Sequence, residues 1–331
     1  MAALLVTMIF MDSISVSAKE SEAALETEAV LPADDPEATP YFKITNAKDI
    51  RSLTMGKPRR ITHETNWKNI KYSSSNKSYC TVDSSGLLTP KKVYLGGYDE
   101  SKIVYITISG TGPDGATHST RFKIENILFS DVNQVSDQPY YFNPVYWAVS
   151  RGIANGYKNA DGSLTGKFEP DKKCTRGEVV TFLYRAAGSP SVNTVGVTKF
   201  KDVKSSDFYY TAVCWAVKNG ITTGYTENGK PTGYFGPNDT CTRGQVMTFM
   251  YRAAGSPEIS SGVYLGFVDV SRKDYYYKPI LWATMNNITT GYTGTGFSGK
   301  LYFGPNDPCT RGQVVTFLWR KEGSPAPAAV D

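Results

Sequence analysis

Three arginines stand where folding alone would not put them. Arg176, Arg243 and Arg311 sit in Cys174-Thr-Arg-Gly-Glu178, Cys241-Thr-Arg-Gly-Gln245 and Cys309-Thr-Arg-Gly-Gln313. A threonine with Glu or Gln three residues on is a capping box that opens a helix. A cation in the first turn of that helix opposes its dipole. The glycine that follows, Gly177, Gly244 or Gly312, gives up helix stability. Neither residue helps to form the helix, yet both stand there three times. The pattern suits an anion: a guanidinium fork matches a carboxylate, at a helix start with free N–H groups and no side chain in the way. The competing reading pairs each arginine with an aspartate such as Asp131, Asp202 or Asp269. The two readings are compatible, because an aspartate can orient an arginine.

Other chemistry has little to build on. His63 and His118 are the only histidines, both lie outside the repeats, and neither stands in a pattern that suggests a triad. There is no P-loop and no GxGxxG. Asp161-Gly-Ser hints at calcium but lacks the spacing and final Glu of a calcium loop, and reads as a turn. Five cysteines, Cys80, Cys174, Cys214, Cys241 and Cys309, form no CxxC pair. Three of them recur at one repeat position, and such positions usually lie apart, so they read as small buried hydrophobes rather than a disulfide framework. The expectation is a non-enzyme with no catalytic residues, no metal and no cofactor.

The elements that must position the arginines come in three copies. Phe129-Ser-Asp-Val recurs at Phe200 and Phe267, and Trp147-Ala-Val recurs at Trp215 and, as Trp-Ala-Thr, at Trp282. Each copy reads as helix, long loop, helix. Val213, Ala216, Val217 and Gly220 set the period of a first helix. Pro144 and Pro279 open its counterparts. Gly152, Gly220 and Asn287 close them at a left-handed position. Trp215 falls on another face from Val213, in a second packing contact or at a ligand groove, with packing the more common outcome. The second helix is apolar nearly all round, as in Val179-Val-Thr-Phe-Leu-Tyr, and so is buried between neighbours. Gly188, Gly255 and Gly323 stop it.

Charge is unevenly spread. Residues 1–40 hold eight acids and one base, residues 41–126 seven acids and fourteen bases, and residues 127–331 sixteen acids and twenty-one bases. A basic body favours an acidic partner. The bases are scattered and no RNP-like run or zinc-finger spacing is present, which argues against nucleic acid. Ala2 to Phe10 is apolar and Val16-Ser-Ala18 supplies small residues, so residues 1–18 read as a secretory signal peptide without its basic n-region, as a truncated start would leave it. The apolar run is too short to span a bilayer. Residues 19–40 read as an acidic disordered linker. Residues 41–126 hold strand-like runs at Tyr41–Ile44, Arg60–Thr62, Ile103–Ser109 and Thr120–Ile124 with turns at Asp83-Ser-Ser-Gly86 and Pro113-Asp-Gly115, which makes a small all-β sandwich.

The repeats resemble S-layer homology domains. The FxDV opening, the Trp-Ala-Val helix ending in GI and GY, the loop end at Phe168, Phe235 and Phe303, and the TRGE/TRGQ motif carry the likeness. It covers residues 128–190, 199–257 and 266–325. The resemblance implies a mainly α-helical, pseudo-threefold trimer-like domain of three repeats. It implies non-covalent binding to secondary cell-wall polysaccharide, often pyruvylated, in grooves between lobes. Carried over, the binding positions are Arg176, Arg243 and Arg311 with Asp131, Asp202 and Asp269, Trp147, Trp215 and Trp282, and the adjoining glycines. The sequence departs from the usual TRAE: Gly replaces Ala, and Gln245 and Gln313 replace Glu. Lys172 stands where the other repeats have Asp239 and Asp307. The three grooves are therefore not expected to be equal. The run Tyr72–Lys92 is similar to the group 2 bacterial immunoglobulin-like (BIG2) domain, which implies a spacer or adhesive module with a protein or glycan partner. Together these imply a secreted, wall-attached surface protein without a transmembrane anchor. The alternatives are a structural subunit of an S-layer lattice or the anchoring part of a larger surface enzyme.

Overall fold

The structure, a computed structural model, describes residues 39–93, 103–132, 139–161, 165–197, 200–259, 264–292 and 300–327. The expected leader, nearly all of the acidic linker, and Gly162-Ser163 of the expected calcium-like turn lie outside the described residues. The chain divides into two compact units, one holding most of residues up to 126 and the other the three repeats. Among the described residues no helix is long and apolar enough to cross a membrane.

The first unit is built of short strands. A four-stranded sheet runs β2 (Ser52–Thr54), β9 (Thr117–Ile127), β8 (Val104–Thr111), β5 (Lys68–Ser74), and a three-stranded sheet runs β3 (Arg59–Arg60), β7 (Leu87–Pro90), β6 (Cys80–Val82). β1 (Phe42–Ile44) pairs with β4 (His63–Thr65). Strict alternation in β8 sends Val104, Ile106 and Ile108 inward and Tyr105, Thr107 and Ser109 outward, as a half-buried strand requires. The inward set meets Leu53, Ile61, Cys80, Leu88, Phe122 and Ile124, so strands of both sheets share one core. Asp83 holds its turn by accepting from the N–H groups of Ser85 and Leu87, and Gly86 takes φ +76° there.

Two expectations for this unit need correction. A one-turn helix, α1 (Ala47–Arg51), interrupts the all-β pattern because Ile50 must reach the core between strands. The strand expected at Arg60–Thr62 breaks into β3 and β4. Ile61 turns inward and gives its N–H to the Gly86 carbonyl, while Thr62 gives its own to the side chain of Asn46.

The second unit contains α2 (Phe142–Ser150), α3 (Arg176–Ala186), α4 (Tyr210–Lys218), α5 (Arg243–Ala253), α6 (Tyr277–Met285) and α7 (Arg311–Lys321). A short hairpin, β10 (Thr226–Glu227) with β11 (Lys230–Pro231), lies in the second repeat's loop. Each second helix packs on the first helix of the next repeat: α3 on α4, α5 on α6, and α7 back on α2. The three repeats thus close a ring. All three capping boxes form, with Thr175, Thr242 and Thr310 as N-caps. Gly152, Gly220 and Asn287 take φ +66°, +66° and +57° after the first helices, and Gly188, Gly255 and Gly323 end the second ones with φ of +80° or more. Pro144 and Pro279 stand at the third position of α2 and α6, within the first turn. There they have no intrahelical N–H bond to lose.

The ring closes on its cysteines. Cys174 N–H donates to the Cys309 carbonyl (2.8 Å), Cys241 to Cys174 (2.9 Å) and Cys309 to Cys241 (2.9 Å). The expectation that repeat-related cysteines lie apart is therefore wrong. Positions related by a threefold axis come together when they lie next to it. All five cysteines are unpaired and buried. Burial pushes the Cys309 thiol up to about 12, and raises Cys174 and Cys241 likewise.

Candidate functional site

Each arginine reaches across a repeat boundary. Arg176 donates Nε–H to the Phe235 carbonyl (2.9 Å), Arg243 to Phe303 (2.9 Å) and Arg311 to Phe168 (3.1 Å). Their guanidinium carbons lie 4.4–4.7 Å from the ring centres of Tyr225, Tyr292 and Tyr157. Phe249, Phe317 and Phe182 cover the other side at 5.2–5.4 Å. The three side chains are only 3%, 3% and 4% exposed. A planar, weakly hydrated cation suits such an aromatic slot.

The aspartates fix the loop that each arginine grips. Asp202 accepts from the N–H groups of Phe235 (2.9 Å) and Gly236 (2.7 Å), Asp269 from Phe303 (2.9 Å) and Gly304 (2.7 Å), and Asp131 from Phe168 (2.9 Å) and Glu169 (2.8 Å). Among the described residues no ion pair joins these aspartates to the arginines. The coupling runs through one peptide unit: the arginine donates to the phenylalanine carbonyl, and the aspartate accepts from the N–H of the next residue, Gly236, Gly304 or Glu169. The internal-pair reading was right that the two residues are linked and wrong about the link.

The helix starts do not offer the free N–H groups expected of an anion site. Arg176 N–H donates to the Asp239 carbonyl (3.0 Å) and Gly177 N–H to Pro237 (2.9 Å). Arg243 and Gly244 donate to Asp307 and Pro305, and Arg311 and Gly312 to Lys172 and Pro170. The third N–H goes to the capping threonine. The orphan donors of the helix end are spent on closing the ring. The glycines are explained by the same docking. A Cβ on Gly177 would lie 2.8 Å from the Tyr209 ring, on Gly244 2.9 Å from Tyr276, and on Gly312 3.1 Å from the Pro170 carbonyl.

The tryptophans belong to the helix contacts. Trp215 packs against Tyr184 of α3 at 5.7 Å and Trp282 against Tyr251 of α5 at 5.8 Å, both nearly buried, as is Trp147. The residues that sequence reasoning missed are the slot tyrosines. Tyr157, Tyr225 and Tyr292 follow Gly156, Gly224 and Gly291, and a thrice-repeated Gly-Tyr was their signal. A Cβ on Gly224 would meet the Tyr234 carbonyl and the Phe200 ring, so the glycine lets the loop pass and sets the tyrosine over the arginine.

The three slots differ. Arg311 gives NH1 to Glu178 Oε1 (3.3 Å) and NH2 to the Asn155 carbonyl (3.0 Å). The capping positions of the other two repeats hold Gln245 and Gln313 in place of that carboxylate, and among the described residues the terminal nitrogens of Arg176 and Arg243 make no hydrogen bond. At the rim, Tyr225 donates to Asp239 Oδ2 (2.9 Å). Burial first, and that acceptor second, push the Tyr225 hydroxyl up to about 12. Where Lys172 replaces the aspartate, its Nζ lies 4.1 Å from the Tyr157 ring centre and pairs with Glu169 at 3.0 Å. The Tyr157 hydroxyl is then buried without a partner among the described residues. A cleft of about 570 Å³ lies beside Tyr225, Asp239 and Tyr234. One of about 200 Å³ reaches Arg311 and is walled by Glu178 and Arg185.

Residues 128–180, 199–247 and 266–315 match the family model of the S-layer homology domain. Over 185 residues, 55% of the chain, the sequence is 28% identical to the surface-layer 125 kDa protein of Lysinibacillus sphaericus. Over 224 residues, 66% of the chain, it is 26% identical to the amylopullulanase of Thermoanaerobacterium thermosulfurigenes. The chain spans 14% and 10% of the length of these two relatives.

Proposed function

We propose that this chain, which carries three S-layer homology repeats, is a cell-surface protein held non-covalently on the bacterial wall by those repeats. The observation that carries the reading is the triplicated arginine slot on one closed ring. A guanidinium fixed by its Nε–H and by aromatic walls, with terminal donors left over, is built to receive an oxyanion. The fitting partner is a secondary cell-wall polysaccharide whose sugars bear carboxylates, such as pyruvate ketals. The aspartates act indirectly, by holding the loop that sets the slot's depth. The tryptophans and glycines act by holding the helices in register.

The first unit, with its two sheets around one core, is read as an immunoglobulin-like spacer or adhesion module displayed by the anchor. One observation favours a second reading. The relatives include a surface-layer protein and an enzyme, and the chain matches only a small part of each. The repeats are thus an anchor compatible with different cargo, including a lattice subunit or a surface enzyme.

Co-sedimentation with purified walls tests the proposal. The chain is expected to pellet with untreated walls and to stay in the supernatant after the secondary polymer is extracted. Equal pelleting before and after extraction contradicts it.

A further inference from the structure

The four-stranded sheet of the first unit carries a charge pattern that its fold does not require. On the outer face the register sets Lys68 beside Thr111, Lys71 beside Ser109, Arg121 beside Thr107 and Lys123 beside Tyr105. β5 reaches this arrangement through a bulge. Residues three apart on a regular strand face opposite ways. Here the register shifts between Lys68 and Lys71, Asn69 takes φ +55°, and Ile70 packs against the core. The extra residue sets both lysines on one side. Gly110 makes room for it: a Cβ there would lie 2.8 Å from Ile70 Cδ1 and 2.9 Å from the Lys68 carbonyl.

The result is a cationic face roughly 10 Å wide and roughly 20 Å long, from the spacing and rise of its strands. Each of its four cross-strand rows holds one cation, and the other positions are Ser, Thr and Tyr105. All four cations are exposed. Among the described residues Lys68, Lys71 and Arg121 pair with no carboxylate, and Arg121 lies 4.9 Å from the Tyr105 ring centre. The acids of this unit whose side chains are described stand elsewhere. Glu64 lies opposite Lys43, Asp83 holds its turn, Asp114 pairs with His118, and Asp49 is on α1.

We propose that this face is the docking surface of the chain's own acidic segment, residues 19–38, which shields it from outside polyanions. That segment holds seven acids and one base. Its C-terminal end is fixed at the edge of the face. Asn66, two residues before the start of β5, donates to the Thr39 carbonyl (2.8 Å) and accepts from the Tyr41 N–H (2.9 Å). Twenty residues span at most about 70 Å when extended and about 25 Å as a coil, so the segment can cover the whole face. Tethering holds its acids at an effective concentration of about millimolar. Glu20 with Glu22, and Glu26 with Glu28, stand two residues apart, as do Arg121 and Lys123 on β9. An anionic wall polymer must displace this tethered polyanion to reach the face. The first unit is thereby kept off the wall that the repeats hold. Both partners of the contact lie outside the repeats, so it stands apart from the anchoring reading.

The test is zero-length carbodiimide cross-linking of the full chain, read by mass spectrometry. Amides are expected between the acids of residues 19–38 and Lys68, Lys71 or Lys123, well ahead of Lys48 and Lys91, which are exposed away from the face. In about 1 M NaCl, where the Debye length is about 3 Å, these products should fall severalfold. Links spread evenly over the exposed lysines, or unchanged by salt, overturn the proposal. Retention on immobilised poly-glutamate tests the shielding. A chain with Glu20→Gln, Glu22→Gln, Glu26→Gln and Glu28→Gln should be retained more strongly than the parent. Adding Lys68→Ser with Lys71→Ser should abolish the gain, while Lys48→Ser with Lys91→Ser, of equal charge, should keep most of it. All these lysines are exposed, so the variants are expected to fold. Equal retention of the parent and the neutralised chain overturns the shielding, and an equal loss with either lysine pair overturns the location. Failure of the anchoring reading would show in wall sedimentation of the parent and leave these results unchanged.

Discussion

The Arg311 slot and the Arg176 and Arg243 slots share one backbone plan and differ in where a carboxylate sits. In the latter pair it stands at the rim, as Asp239 for Arg176, accepting from Tyr225, and as Asp307 for Arg243. At the Arg311 slot it has moved inside, as Glu178, and a lysine has taken its place outside. The comparison shows how a triplicated unit can keep its fold while the side chains around its slots diverge. The aspartate–phenylalanine–arginine relay that builds the slot is the same three times. The atoms that would meet a ligand are not.

The largest expected effect separates the arginines. Arg311→Ala leaves the partly buried Glu178 without its partner and loosens the contact of repeat 3 with repeat 1, so it should cost about 2–4 kcal/mol of stability. Arg176→Ala and Arg243→Ala lose a hydrogen bond and aromatic packing but strand no charge, and should cost about 1–3 kcal/mol. Urea unfolding of the three variants measures this, and three equal losses would break the comparison.

The glycines come next. Gly177→Ala and Gly244→Ala push a methyl into a tyrosine ring below 3 Å, whereas Gly312→Ala meets its neighbours at 3.1 Å or more. The first two should lose about 1–3 kcal/mol by overpacking and the third less. A Gly312→Ala variant that melts lowest would place the tightest docking between repeats 3 and 1 instead.

The caps should not discriminate. Thr175→Ala, Thr242→Ala and Thr310→Ala each remove the same bond and should each cost about 1 kcal/mol. A distinctly larger loss at Thr175 would mean that the Arg311–Glu178 ion pair depends on the capping box.

The smallest effect concerns the axis, which all three slots share. Cys174, Cys241 and Cys309 have folded pKa values above that of an exposed thiol, which is about 8.5. An unfolded chain therefore releases these protons first as pH rises. Their contribution to stability is whole below about pH 8.5 and declines as pH climbs toward the folded value, about 12 for Cys309. The urea midpoint should fall from pH 8 to pH 10, and the three thiols should resist alkylation at pH 8. Rapid modification of the folded chain would show that the axis is open.

Much of this was legible in the sequence, for reasons that can be named. Capping boxes, left-handed stop residues and the apolar second helices are local patterns, and each formed as its residues dictate. Contacts across the ring were not legible. The free N–H groups inferred at Arg176 and Gly177 are taken by Asp239 and Pro237, about sixty residues away in sequence. The glycines were read as open space for a ligand but make room for Tyr209 and Tyr276. The cysteines were placed apart because nothing local marks a threefold axis. In the first unit, Ile50 and Ile61 answer to a core assembled from both sheets, so the pattern around them could not announce a helix or a broken strand. The Glu-to-Gln change was visible as a charge difference. Its meaning needed the arginine of the preceding repeat in the ring.

The most direct test of the account compares wall binding by two variants under conditions where both are folded. The Arg176→Ala/Arg243→Ala/Arg311→Ala triple variant should lose co-sedimentation with purified walls, while Thr175→Ala, which leaves all three arginines in place, should pellet like the parent. A folded triple variant that pellets like the parent would contradict it.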